Sequence, residues 1–81
     1  MAGFAKNEDE IADRISKFLK AELKRKGWTY AEHAERLGKH GVRGETEASI
    51  KNKLARGTFP ATFFVASLAA LEREGLRLDD I

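Results

Sequence analysis

Five polar residues at helical spacing stand in the basic middle of this 81-residue chain. They carry hydroxyl, amide, ammonium or guanidinium groups, which form hydrogen bonds but are weak nucleophiles without an adjacent base. They are Thr46, Ser49, Asn52, Lys53 and Arg56. Ile50 and Leu54 recur between them at four-residue spacing, which predicts an amphipathic helix with the polar residues outward. The pattern indicates binding through hydrogen bonds and charge, with an ordinary solvated helix face as the alternative.

Charge is unevenly distributed along the chain. Residues 17–56 contain eleven Lys or Arg against five Glu, whereas residues 1–16 and 57–81 each contain two basic against four acidic residues. A basic centre between acidic ends favours a polyanionic partner for the middle of the chain. A solvated helical surface rich in lysine would give the same composition, so charge alone does not decide between the two.

Catalytic and metal-binding chemistry has little support in the sequence. The absence of cysteine excludes disulfides and thiolate ligands. No glycine-rich phosphate loop follows a strand, and no Ser-His-Asp set can be placed. His33 and His40 are a weak metal pair; we expect His33 in the core beside Trp28 and His40 in a loop. We therefore predict no enzyme, metal, cofactor or small-molecule site.

The elements that would position these residues are helices. Apolar residues recur at three- and four-residue spacing and never alternate over a usable length, which predicts an all-α, five-helix fold. The helices are expected at about Glu8–Lys26, Thr29–Gly38, Thr46–Arg56 and Pro60–Arg73, with a short closing element at Leu76–Ile81. We expect residues 1–7 to be a flexible tail and residues 8–81 a single domain, since a chain of this length supports one modest core.

The N-terminal sequence MAGFAKNEDE has no apolar run and is acidic, so no signal peptide is visible. No stretch approaches the roughly 20 apolar residues of a membrane span. The sequence therefore predicts a cytoplasmic protein without a membrane partner.

The order of these signals carries a resemblance to a known family. The segment KGWTYAEHAERLG, residues 26–38, has Thr29 as a capping residue and Ala34 as a small residue between two helices. A basic helix follows, and the closing sequence is LRLDDI. Most of residues 20–81 resembles the helix-turn-helix domain of the lambda-repressor/Cro (XRE-like) type. The chain departs from it at His33, where the family has a core leucine, in the longer loop after Gly38, and at Ala55-Arg56-Gly57.

A second resemblance rests on the Arg-Gly-Thr-Phe loop, residues 56–59, which is followed by the paired aromatics Phe63 and Phe64. These features resemble a set of small bacterial proteins of unknown function. This resemblance implies no activity.

The resemblance to the lambda-repressor type implies sequence-specific binding of double-stranded DNA, with the third helix in the major groove. The base-reading residues would be Thr46, Ser49, Asn52, Lys53 and Arg56; asparagine suits adenine, and lysine suits guanine. The phosphate contacts would come from Lys26, Thr29, Tyr30, Lys39, Arg43 and Thr58. Glu45 and Glu47 suit the start of a helix but would repel phosphates. The predicted reading helix is therefore only weakly basic.

Phe63 and Phe64 predict a second apolar surface, because adjacent helical residues point about 100° apart. It is either a homodimer interface or is covered by the first half of the first helix. Two copies would read half-sites about one helical turn apart. We expect a small homodimeric transcriptional repressor that occludes a promoter. The alternative is a protein-interaction module, such as an antitoxin-like protein, that keeps the fold without binding DNA.

Overall fold

Four α-helices dominate the computed structural model, which describes residues 3–81. They are α1 (Glu8–Lys26), α2 (Tyr30–Gly38), α3 (Glu47–Arg56) and α4 (Ala61–Ala70), followed by one 3-10 turn at Leu78–Asp80. The predicted all-helical class is confirmed, and no strand occurs within residues 3–81. The predicted fifth helix is reduced to the 3-10 turn. The backbone N–H of Arg77 there donates to the Asp80 carboxylate at 3.0 Å.

Local caps determine where α2 and α3 begin and where α3 ends. Thr29 and Glu32 form a reciprocal capping box at the start of α2. Thr46 is the N-cap of α3, accepting a hydrogen bond from the Ser49 N–H, and Gly57 ends that helix with a left-handed φ of 70°. Such caps satisfy backbone groups that have no partner inside the helix. The sequence therefore predicts these boundaries to within a residue.

The end of α4 is followed by a contact to a distant part of the chain. The helix stops at Ala70 rather than at the predicted Arg73, and Glu72 adopts a left-handed φ of 61°. The reversed chain brings the Arg73 guanidinium within 2.5 Å of the Glu22 carboxylate on α1 and within 2.9 Å of Asp80. Glu22 is buried, and a buried carboxylate needs a cationic partner to offset its lost hydration. The helix end itself is capped locally, where the Arg73 N–H donates to the Leu68 carbonyl at 2.9 Å, and the ion pair attaches the segment after it to α1.

The core joins all four helices. Its buried side chains are Phe18, Leu19, Leu23, Leu37, Ile50, Leu54, Phe63, Ala66 and Leu71. α3 packs against α1 and α2, and α2 also packs against α4. The predicted inward pair of α3, Ile50 and Leu54, is confirmed by its burial. None of the helices within the described part of the chain is long and apolar enough to cross a membrane.

The C-terminal end of α3 is fixed against α1. Gly57 lies so close to the Ala12 carbonyl that a Cβ at this position would overlap the backbone of α1. The Ser16 hydroxyl of α1 donates to the Leu54 carbonyl in the last turn of α3. α1 therefore holds α3 from one side and one end, and the opposite face of α3 is directed to solvent.

The predicted tail lies partly outside the described residues, which begin at Gly3. Within it, Phe4 contacts α1: the Arg14 guanidinium lies 3.9 Å from the Phe4 ring centre and donates to the Phe4 carbonyl at 2.6 Å. Asn7 caps α1 by accepting from the Glu10 N–H at 2.9 Å. These contacts attach the start of the described chain to the first helix.

Candidate functional site

Two of the predicted base-reading residues are used to cap α3. The Thr46 Oγ1 accepts from the Ser49 N–H at 3.1 Å, and the Ser49 Oγ accepts from the Thr46 N–H at 2.8 Å. The Ser49 hydroxyl also donates to the Glu45 carboxylate at 2.7 Å. A base contact through either hydroxyl would have to compete with these bonds, and loss of an N-cap costs about 0.5–2 kcal/mol. The first turn of α3 is therefore occupied by its own contacts.

Lys53 is not the free, outward lysine that the sequence predicts. Its Nζ lies 3.0 Å and 3.1 Å from the two carboxylate oxygens of Glu45, and its side chain is only 20% exposed. The same ammonium lies 5.6 Å from the centre of the Phe63 ring. A partly buried pair of this kind is harder to open than an exposed one, because each charge has lost water. Glu45 therefore holds Lys53 against the protein.

The two acidic residues at the start of α3 have different positions. Burial opposes the ionisation of Glu45, but hydrogen bonds from Ser49 and Lys53 outweigh it and lower the pKa of that carboxyl. Glu45 therefore stays charged and directed at Lys53. Glu47 is exposed and lies about 140° around the helix from Asn52 at 3.6 residues per turn. Neither carboxylate lies on the outward face of α3.

Of the predicted base-reading residues, Asn52 and Arg56 are the two whose polar groups have no partner within residues 3–81. Both side chains are exposed, and within residues 3–81 neither forms a side-chain hydrogen bond or an ion pair. They line one shallow surface hollow together with Ser49, Lys53 and Ala55. Exposed Ala48 and Ala55 flank them on the same side of the helix. This face combines an amide, a guanidinium and two small residues, so its polar groups can reach a partner without rearranging the protein.

The predicted phosphate contacts at the start of α2 are partly blocked. The Thr29 N–H donates to the Glu32 carboxylate at 3.0 Å, and the Thr29 Oγ1 accepts from the Glu32 N–H at 3.1 Å. These bonds from Thr29 lower the pKa of Glu32 and keep the carboxylate in place. Tyr30 is half-buried against the core. The N–H groups of Tyr30 and Ala31, in the first helical turn, are the donors left for an anion.

The other four predicted phosphate contacts lie on the surface. Lys26, Lys39, Arg43 and Thr58 are all exposed, and none of the three basic residues forms an ion pair within the described residues. Lys26 is in the last turn of α1, immediately before α2, while Lys39 and Arg43 belong to the connection between α2 and α3. The Val42 N–H donates to the Leu37 carbonyl at 3.0 Å, which anchors this connection to the end of α2.

Comparison with known proteins gives a family for this chain. Residues 11–76 match the model of a domain of unknown function, DUF6471. The chain belongs to the DUF6471 family. The match covers α2, α3, α4 and most of α1. It agrees with the resemblance to small proteins of unknown function and does not extend to the lambda-repressor type. No curated protein and no solved structure matched the chain.

The DUF6471 segment contains a buried polar pair between α2 and α4. The Nε2 of His33 lies 3.0 Å from the Ser67 Oγ, and both residues are at most 1% exposed. The His33 ring stacks on Trp28 with ring centres 6.2 Å apart, and its Nδ1 has no hydrogen-bond partner. No three potential metal ligands come together anywhere in residues 3–81. The pair therefore joins two helices of the core, as the expected core position of His33 implies.

The charge state of His33 follows from this position. Burial lowers the pKa of His33 to about 4, the positive charge of Arg36 acts in the same direction, and Glu45 opposes both. A neutral imidazole has one donor and one acceptor nitrogen, so His33 can occupy the core as long as it stays uncharged. The DUF6471 domain thus contains an interior histidine whose protonation would oppose folding.

The predicted dimer surface needs a correction. Phe63 is 2% exposed and belongs to the core, where its ring centre lies 4.9 Å from that of Phe59. Phe63 is therefore not available to a partner. Phe64 is half-buried and packs edge-on against Phe18 of α1, with ring centres 6.4 Å apart. Phe18, in the second half of α1, thus covers part of Phe64, whereas Phe63 faces the core.

Sequence reasoning missed the partner of Lys53 and the role of the two alanines. Glu45 precedes Lys53 by eight residues and lies outside the helix, so the spacing rules for pairs within a helix do not connect them. The available signal was the acidic residue just before the cap of an otherwise basic helix. Ala48 and Ala55 share the outward face with Asn52 by their spacing, but small residues give no chemical signal of their own.

Proposed function

We propose that this DUF6471 protein binds double-stranded DNA through a helix-turn-helix formed by α2 and α3, with α3 in the major groove. The observation that carries the proposal is the outward face of α3, whose Asn52 and Arg56 side chains form no hydrogen bond or ion pair within residues 3–81. Asn52 and Arg56 are exposed there, while Ile50 and Leu54 anchor the opposite face in the core. A helix held by the fold on one side and presenting amide and guanidinium groups on the other suits base recognition.

Charge and packing support the same proposal. α2 packs against α3. Exposed Lys26 lies in the last turn of α1, shortly before α2, and exposed Lys39 and Arg43 lie in the connection after α2. Cations there would set affinity through phosphate contacts, and the free N–H groups at the start of α2 would add to them. The resemblance to the lambda-repressor/Cro type points to this arrangement independently of the charge distribution.

The biological role we propose is a small transcriptional repressor that occludes a promoter as a homodimer. A single small module buries only about 600–1,000 Å² on DNA, so two copies reading adjacent half-sites would supply the discrimination that one lacks. A cytoplasmic location, predicted from the sequence, is part of this proposal, as is the absence of any catalytic activity.

The decisive experiment is affinity selection of sheared genomic DNA on the purified protein at moderate salt, followed by sequencing. Enrichment of a short, nearly palindromic sequence is expected. The selected duplex should then bind with a salt dependence that steepens by about 0.9 in log–log slope for each phosphate contacted. No enrichment, together with no retention of DNA at low salt, would overturn the proposal.

A variant separates DNA contact from folding. The double change Asn52→Ala and Arg56→Ala should weaken binding to the selected duplex at least tenfold. Its free energy of unfolding should stay within about 0.5 kcal/mol of the wild-type value, because both residues are exposed. Arg77→Ala is the matched control, since Arg77 is 82% exposed and lies in the closing segment. Equal losses in the control and in the double variant would point to non-specific attraction.

The second candidate is a protein-interaction module, and the surface of α4 favours it. Ala61, Thr62, Val65 and Ala69 are exposed on that helix, and Val65 is 63% exposed. α4 contains no charged residue, so this face suits an apolar partner. Under this alternative the protein binds no DNA, and Val65→Lys should prevent association through α4 while leaving the helical signal intact. Sedimentation with and without DNA distinguishes a dimer through α4 from a monomer.

A further inference from the structure

The outward face of α3 has a defined chemical composition. At 3.6 residues per turn, Ala48, Ala55 and Arg56 all lie within about 60° of Asn52, and Ile50 and Leu54 lie about 160° away on the other side. The four outward residues are exposed, whereas Ile50 and Leu54 are buried. The face thus has two polar side chains one turn apart, beside the methyl groups of Ala48 and Ala55.

Intramolecular contacts remove the other polar side chains from this face. Ser49 and Thr46 bond each other across the cap, and Lys53 is held by Glu45. From the sequence alone, Lys53 is the residue expected to contact guanine. The Lys53 ammonium is paired and its side chain is only 20% exposed. The exposed Lys51 lies about 100° around the helix from Asn52, so the Arg56 guanidinium, about 40° away, is the cation closest to that face.

The two free side chains have distinct complements in the major groove. The amide of asparagine donates and accepts at once, which matches the amino group and N7 of adenine. The guanidinium fork donates only, which matches the O6 and N7 of guanine. Ala48 and Ala55 carry only methyl groups, so they allow the helix backbone to come close enough to the base edges for these short contacts.

The spacing of the two side chains limits the spacing of the two bases. Four residues advance about 6 Å along a helix, and neighbouring base pairs are about 3.4 Å apart. We infer that each half-site contains an adenine read by Asn52 and a guanine read by Arg56, within about three base pairs of each other. This inference rests on the proposed DNA-binding function and names the bases that the same site would select.

Selection from a random duplex library tests the assignment. The wild-type protein should enrich a motif with an adenine and a guanine at this spacing. Asn52→Ala should lose the preference at the adenine position and keep guanine; Arg56→Ala should do the reverse. Arg77→Ala, an exposed change in the closing segment, should reproduce the wild-type motif. Circular dichroism and melting of each variant establish that it is folded.

Duplexes with single-atom changes sharpen the test. Replacing the selected adenine by 7-deazaadenine, or the guanine by 7-deazaguanine, removes only the N7 acceptor. Each replacement should weaken wild-type binding by about five- to a hundredfold. Asn52→Ala should be insensitive to the first replacement and Arg56→Ala to the second.

Three results would count against the assignment in different ways. If each variant loses affinity by the same factor on every duplex, Asn52 and Arg56 contact phosphates and the assignment is overturned while DNA binding stands. If the guanine preference disappears in Lys53→Met and survives in Arg56→Ala, Lys53 leaves Glu45 to read the guanine, and the assignment to Arg56 fails. If the wild-type protein enriches nothing and binds no duplex at low salt, the proposed function itself fails.

Discussion

α3 and α4 are both ten residues long, but they differ in how many of their residues are buried and in the groups that they expose. α3 buries only Ile50 and Leu54 and is fixed by contacts at its two ends, to Glu45 at one and to α1 at the other. α4 contains no charged residue and buries four positions along its length. Both helices bury one face, but the exposed face of α3 carries amide and guanidinium groups, whereas the exposed face of α4 carries no charged group. This difference is why we place DNA recognition on α3.

The largest expected effect comes from Gly57→Ala, which attacks the fixed end of α3. The added Cβ would overlap the Ala12 carbonyl, and alanine disfavours the left-handed φ of 70°. We expect a loss of about 2–4 kcal/mol in the free energy of unfolding, measured by urea denaturation.

The matched control for Gly57→Ala is Gly44→Ala. Gly44 has a φ of 90° with open space around it, so only the backbone strain of about 1 kcal/mol should appear. Similar losses in both variants would mean that the docking of α3 on α1 contributes little to its position.

Acidification tests the buried contact between α2 and α4 that His33 and Ser67 form. The unfolded His33 binds a proton near pH 6.5, and the folded one only near 4. The folded state therefore loses stability as the pH falls from about 6.5 to 4, by at most about 3 kcal/mol. Thermal melting between these pH values measures the slope. The pKa of Glu45 is lowered from 4.5, so that carboxylate contributes chiefly at the acidic end of the window.

Two variants identify the titrating group. Replacing the pair together, by His33→Leu with Ser67→Ala, should flatten the pH dependence between 6.5 and 4. His40→Gln should leave it unchanged, because His40 is exposed. A slope that persists in the double variant would assign the acid sensitivity to other groups.

Glu45→Gln removes the ion pair between Glu45 and Lys53 near the start of α3. The change leaves the Lys53 ammonium without its ionic partner in a partly buried position, so we expect a loss of about 1–2 kcal/mol in stability. Freed of Glu45, Lys53 adds a positive charge near the reading face, and DNA affinity should rise. Urea denaturation and DNA titration should therefore move in opposite directions. A variant that is less stable and also binds more weakly would show that the pair positions α3 for DNA.

Lys53→Ala and Asn52→Ala complete this comparison. The sequence predicts both residues on the outward face of the helix, where a change to alanine is expected to cost little stability. The structure changes that expectation for Lys53, whose removal should destabilise the fold by about 1–2 kcal/mol by leaving Glu45 unpaired. Asn52→Ala should stay within about 0.5 kcal/mol of wild type.

The smallest expected effect concerns the end of α4. Both α3 and α4 are followed by a residue with left-handed φ, Gly57 in one case and Glu72 in the other. Glycine adopts this conformation without the steric cost that glutamate bears. Glu72→Gly should therefore stabilise the protein by about 0.5–1 kcal/mol, seen as a rise in melting temperature. Loss of stability would mean that the Glu72 side chain contributes a contact worth more than its backbone strain.

Much of the fold was predictable because its causes are local. The ends of α2 and α3 are determined by residues no more than four positions away, which are Thr29 with Glu32, Thr46 with Ser49, and Gly57. The candidate site was predictable only in part. Asn52 and Arg56 follow from helical spacing opposite Ile50 and Leu54, but the same spacing gave Lys53 an equal place among the readers.

The sequence by itself determined the helical class, the ends of the first three helices and the inward residues of α3, since capping and periodicity depend on near neighbours. Only the tertiary structure decided which polar groups are free. Lys53 is engaged because the fold brings Glu45 to it, Arg73 is engaged because it reaches Glu22 on α1, and Phe63 is buried while Phe64 lies at the edge of α1. These outcomes depend on desolvation and pairing between groups that are distant along the chain or outside one helix, and periodicity alone does not register such contacts.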